Sequence, residues 1–183
     1  ISAEGFPKKK DARRAFQEQQ LMTQTNTVTN FKGKTIFIPG NHDWSSGGPE
    51  GLKRQEKYIK NLLGKKTFLP EDGCTIEKIN ISDDIELIIV DSQWYIEDWD
   101  NHPTINDKCE FKTRNDFLDE YESLIKKARG KTTIVTMHHP MYTNGPHGGQ
   151  YSFGDHMKPV PVLGTLKNVI RKTSGINKAD IQH

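Results

Sequence analysis

The stretch Thr35-Ile36-Phe37-Ile38-Pro39-Gly40-Asn41-His42-Asp43 decides how the rest of the chain reads. Its first four residues are apolar or β-branched, the composition of a buried strand. Pro39-Gly40 stops such a strand abruptly. A carboxamide, an imidazole and a carboxylate then follow directly at its carboxyl end. In α/β sheets, ligands bind where loops leave that end of the strands. The pattern recurs twice: Asp91-Ser92 follows Leu87-Ile88-Ile89-Val90, and His138-His139-Pro140 follows Thr133-Ile134-Val135-Thr136-Met137. Taken singly, each cluster is also what an ordinary turn looks like. Together, each after an apolar run, they point to one polar site built on strand ends.

The flanking segments alternate between helical and extended periodicity. Pro49 opens a helix with Leu52, Ile59, Leu62 and Leu63 on its apolar face, and Gly64 closes it. Residues 75–81 partly alternate, Ser82-Asp83-Asp84 reads as a turn, and Ile85 to Val90 reads as a central strand. Thr113-x-x-Asp116 resembles a capping box ahead of a helix with Phe117, Leu118, Tyr121, Leu124, Ile125 and Ala128 on one side. Ala12, Ala15 and Phe16 suggest a solvated helix over residues 8–20, and Val162, Leu163, Leu166, Val169 and Ile170 suggest a last one. Apolar strands alternating with amphipathic helices indicate an α/β or α+β layered fold.

Composition narrows the function classes. The 183 residues suit a single domain, read over residues 1–183. Lys plus Arg number 26 against 24 Asp plus Glu, a net +2, which argues against a nucleic-acid binder despite Lys8-Lys9-Lys10 and Arg13-Arg14. No apolar run approaches the roughly 20 residues of a membrane span. Cys74 and Cys109, the only cysteines, lack zinc-ligand spacing. They read either as one disulfide or as two unrelated thiols.

At these residues the chain resembles the calcineurin-like metallophosphoesterases, over roughly residues 34–150. Gly40-Asn41-His42-Asp43 matches the family's Gly-Asn-His-Asp/Glu motif, and His138-x-Pro140 its later His motif, closest to the purple acid phosphatase branch. His147, nine positions after His138 in Pro146-His147-Gly148-Gly149, matches that branch's spaced second histidine. The resemblance implies the central part of a four-layer β-sandwich flanked by helices. It implies hydrolysis of phosphoric esters at a dinuclear centre of two divalent or trivalent ions (Fe, Zn or Mn), with metal-bound hydroxide as nucleophile.

Carried over by residue, Asn41 and His138 are the metal ligands, and His42 and His147 the catalytic histidines that hold phosphate oxygens or protonate the leaving group. Asp43, Asp91, His139 and His156 are candidate supporting groups beside the ligands. Trp44, Trp94 and Tyr95, with Trp99, either line a substrate cleft or pack under a long loop. The branch resemblance also favours the disulfide and an exported location (periplasmic, extracellular or cell-surface) over the cytoplasm.

The family pattern also calls for Asp-x-His and Gly-Asp before Gly-Asn-His-Asp and for Gly-His-x-His near the carboxyl end. Asp100-Asn101-His102 and Gly154-Asp155 spell two of these but stand in the wrong order. The expectation is therefore an incomplete phosphoesterase domain, truncated at both ends, within a larger polypeptide or assembly. The alternative is a degenerate, non-catalytic module of the same fold serving as an interaction subunit.

Overall fold

In a computed structural model of the chain, the residues described are 4–96 and 107–140. The chain divides between His138 and His139 into two units, and of the second only His139 and Pro140 are described. Helix α1 (Arg14–Val28) leads to a short 3-10 turn at Asn41–Trp44 and helix α2 (Pro49–Leu63). A second 3-10 turn at Glu71–Gly73 precedes strands β1 (Ile76–Asn80) and β2 (Ile85–Val90), then α3 (Ser92–Ile96), α4 (Arg114–Lys127) and β3 (Thr132–Met137). This is a mixed α/β arrangement, consistent with the phosphoesterase fold.

Strand β2 is central, antiparallel to β1 and parallel to β3. Its Ile88, Ile89 and Val90 are buried, as a strand covered on both faces requires. The parallel β2–β3 register pairs Val90 with Met137. The residues that follow each strand, Asp91 and His138, therefore leave the sheet at the same end. Phe6, Leu52, Ile59, Phe68, Ile88 and Trp94 form the centre of the core, joined by Leu21 of α1 and Phe117 and Leu124 of α4.

Helix α2 starts at Pro49 and stops at Gly64, whose φ of 96° an L side chain would resist. Helix α4 carries the capping box: Thr113 Oγ1 accepts from the Asp116 N–H at 3.1 Å, and Asp116 Oδ2 accepts from the Thr113 N–H at 3.1 Å. Its face is narrower than its spacing suggests, since Phe117, Leu124 and Ala128 are buried while Leu118 and Ile125 are exposed. Leu62 of α2 is likewise exposed.

Two expectations are corrected. Residues 35–38 are not a buried strand; they are half-buried and pair only at Phe37, in parallel, with Phe68. Phe37 N–H donates to Thr67 O and Leu69 N–H to Phe37 O. The next rung would need an N–H from residue 39, and Pro39 has none. The first helix lies later than residues 8–20, and Phe16 is 60% exposed. Its buried line is Gln17, Leu21 and Thr25, one residue per turn. Phe6 fills the core beside it, and the Arg14 guanidinium lies 3.6 Å over the Phe6 ring.

Cys74 and Cys109 are joined in a disulfide, with Cα atoms 5.5 Å apart. It ties the segment before α4 to the turn before β1. The last helix expected over residues 162–170 lies outside the described residues.

Candidate active site

Pro39 ends the pairing of the Phe37 segment, and the backbone turns at once through Asn41–Trp44. Asp43 builds this turn. Its N–H donates to Gly40 O at 3.0 Å, and its Oδ2 accepts from the Gly40 N–H at 2.8 Å. Asp43 is 1% exposed, and its Oδ1 accepts from Gln55 Nε2 of α2 at 2.6 Å. Trp44 is buried and its Nε1–H donates to Asp91 Oδ2 at 3.0 Å. Asp91 Oδ1 in turn accepts from the N–H groups of Gln93 (3.0 Å) and Trp94 (3.3 Å), and so caps the short α3. One carboxylate at the end of β2 thus fixes both the Asn41–Trp44 turn and the chain's exit from the sheet.

Burial pushes the Asp91 carboxyl up to about 8, and Asp43 adds to the rise, while the Trp94, Trp44 and Gln93 donors oppose it. A carboxyl in such a place stays protonated well above the usual carboxylate range.

His138 follows β3, and its Nε2 lies 2.9 Å from Asn41 Oδ1, across 97 residues of sequence. Gly40 makes this approach feasible. A Cβ at position 40 would stand 2.8–2.9 Å from His138 Cγ, Nδ1 and Cε1, closer than carbon can sit. Burial lowers the His138 pKa, His42 acts in the same direction, and Asp43 opposes them. A neutral ring keeps a lone pair for a cation.

The donor separation also fits one. Two ligands each about 2.1 Å from the same ion lie about 3.0 Å apart at right angles and about 3.4 Å apart at the tetrahedral angle, so the pair suits an octahedral ion better than a tetrahedral one. A carboxamide oxygen and an imidazole nitrogen suit divalent cations of the Zn and Mn kind. Among the described residues, no three His, Cys, Asp or Glu side chains converge to hold a metal. Asn41 and His138 by themselves supply two donors, fewer than the three or four a bound cation takes from a protein.

The family model for calcineurin-like phosphoesterase matches residues 11–162, most of the chain. The chain belongs to the calcineurin-like phosphoesterase family. Phosphoester hydrolysis is the general chemistry of that family, and divalent cations its usual helpers. No curated protein and no solved structure matches the chain. In this phosphoesterase the Gly-Asn-His-Asp turn and the His138 motif are brought together, with His42 half-buried in the same turn.

The other sequence-derived candidates are placed as follows. Asp43 and Asp91 stand behind the turn, as described. His139 belongs to the second unit. His147, His156, Trp99, residues 100–102 and residues 154–155 lie outside the described residues. Trp44 and Trp94 are buried, at 4% and 0% exposure, so packing describes their surroundings better than an open cleft. Tyr95 is 38% exposed, its ring 5.6 Å from Phe117 and 5.0 Å from the Arg114 guanidinium.

Gln55 is the residue that sequence reasoning passed over. It falls three residues after Leu52 and four before Ile59, on the apolar face of α2. An amide in that position needs a buried partner, which is the signal that would have found it.

Proposed function

We propose that this phosphoesterase hydrolyses phosphoric esters at a dinuclear metal centre, with Asn41 and His138 as ligands of one cation. The observation that supports this reading is the 2.9 Å approach of Asn41 Oδ1 to His138 Nε2, between the Asn41–Trp44 turn and the end of β3. When bound, two cations (Fe, Zn or Mn) lower the pKa of a water to give the hydroxide nucleophile and offset charge on phosphate oxygens. The chain's own groups do the rest. Asn41 and His138 offer uncharged donors that leave the cations' positive charge undiminished. Asp43, held by the Gln55 amide and the Gly40 N–H, acts electrostatically on His138 and would favour a cation there.

His42 is assigned to holding a phosphate oxygen, and His147, from its motif spacing, to protonating the leaving alkoxide. Tyr95 is the aromatic residue proposed to meet the organic part of the ester. The Cys74–Cys109 disulfide supports a place in an oxidising compartment.

The test is hydrolysis of p-nitrophenyl phosphate and bis-p-nitrophenyl phosphate by the full-length protein, with and without added Mn2+, Zn2+ or Fe. Metal-dependent turnover that falls at least about 100-fold in His138→Ala supports the reading. Turnover unchanged by the substitution or by chelator overturns it. A protein that binds no metal and turns over neither ester supports the non-catalytic module instead.

A further inference from the structure

We infer that Gln55 is a positioning residue for the metal-ligand pair, acting through Asp43. The inference rests on the metal reading of the site. Gln55 is 0% exposed on α2, and its amide N–H reaches Asp43 Oδ1 at 2.6 Å. Its Oε1 is buried with no hydrogen-bond partner. An unpaired buried carbonyl is a cost, so the amide's packing does not explain its presence. A carboxylate only accepts, and this fixes which end of the amide faces Asp43.

From Asp43 the constraint runs through two steps. The other carboxylate oxygen holds the Gly40 N–H at 2.8 Å. Gly40 in turn lies against the His138 ring, too close for a Cβ. Asn41 and His42 are strung between Gly40 and Asp43. Helix α2, anchored in the core by Leu52 and Ile59, therefore sets where the Asn41 carboxamide stands relative to His138. Outer groups that orient metal ligands are worth about 10–100-fold in metal affinity.

A donor–acceptor exchange tests this. In Gln55→Glu, two carboxylates face one another. In Asp43→Asn, two amides do, and they pair only if the Gln55 amide turns and leaves its NH2 unpaired in the buried place where Oε1 now stands. In the double variant, the carboxamide introduced at position 43 keeps an oxygen for the Gly40 N–H and donates its N–H to the carboxylate introduced at position 55. The contact is then restored with its polarity reversed. Mn2+ affinity of the full chain is measured by calorimetry, and the His138 ring nitrogens by NMR.

Each single variant is expected to lose about 10-fold or more in Mn2+ affinity and to shift the His138 Nε2 resonance. The double variant is expected to return to within about threefold of the parent. Losses that simply multiply in the double variant, or a His138 resonance unmoved by either single change, overturn the role of Gln55. If the parent chain binds no Mn2+, the metal reading fails on its own. The resonance cycle, which needs no metal, then still decides whether Gln55 positions His138.

Discussion

Two loops meet at Asp91 and are held by opposite means. The Asn41–Trp44 turn reaches the Asp91 side chain through Trp44, and the turn before β1 reaches the Asp91 backbone through Thr75 O at 2.8 Å. The first loop is fixed by buried carboxylates facing neutral donors: Gln55, Trp44 and backbone N–H groups. The second is fixed by charge and by a covalent bond. Lys60 and Lys66 both pair with Glu71, at 2.6 and 2.7 Å, and Lys66 also pairs with Glu77 at 2.7 Å. Burial would raise the Glu71 pKa, but the two lysines outweigh it and hold the carboxyl low. The Cys74–Cys109 bond completes the clamp. A carboxylate answered by lysine has its charge cancelled. The Asp43 carboxylate is instead met by the Gln55 amide and the Gly40 N–H, and its charge acts on His138. The first loop carries the residues proposed as ligands, and the second braces the start of β1.

Loss of the covalent part of the brace is expected to have the largest effect. The bond spans 35 residues. Cys109→Ser, or reduction, is expected to cost roughly 4 kcal/mol of stability by loop entropy. The thermal midpoint should fall steeply with reductant while the His138 ring resonance of the remaining folded protein stays in place. A midpoint indifferent to reductant contradicts the role of brace.

Asp91, where the loops meet, is the next target. Its folded pKa, about 8, lies above the unfolded value, so the folded state holds a proton that the unfolded state has released. Stability from this group is greatest below about pH 4, declines as pH rises toward 8, and is level beyond. Asp91→Asn should flatten that decline in denaturant titrations run from about pH 4 to 9. It should also cost on the order of 1–3 kcal/mol, because the amide keeps one oxygen and either the Trp44 N–H or the Gln93 and Trp94 N–H groups lose their acceptor. A variant with the parent's pH slope would assign the slope to another group.

The smallest effect belongs to the exposed ions. Lys66 is 53% exposed, and Lys66→Met should change stability by no more than about 1 kcal/mol, with the difference shrinking in added salt. A loss as large as that of Cys109→Ser would erase the distinction drawn between the loops.

Much of this was legible in the sequence. The apolar stretch Leu87–Val90 and the β-branched stretch Thr132–Met137 marked β2 and β3, although β3, expected to be buried, is half-exposed with Ile134 open to solvent; Pro49, Gly64 and the Thr113 box gave the helices their limits. Residues 35–38 misled because composition does not reveal which backbone N–H groups a following proline removes from the ladder. The first helix misled because Ala12, Ala15 and Phe16 are spaced for a helix, yet all three are exposed and the buried line is Gln17, Leu21 and Thr25, two of them polar. Asn41 and His138 stood out in the sequence as candidate ligands, and His138 does follow a strand, β3, while Asn41 follows an isolated bridge. Their separation was not legible, since it depends on the β2–β3 register and on the missing Cβ of Gly40. Gln55 was visible only as an amide on an apolar stripe, a signal without a partner until α2 is laid against the turn.

The central claim is that Asn41 and His138 are a ligand pair made possible by Gly40. The most direct test is Mn2+ binding to the full chain, its His138→Ala variant and its Gly40→Ala variant, by calorimetry at one pH. Both variants are predicted to lose about 10-fold or more in affinity. In Gly40→Ala the His138 side chain is still present and only its approach to Asn41 is blocked. Mn2+ bound equally by all three proteins would contradict the account.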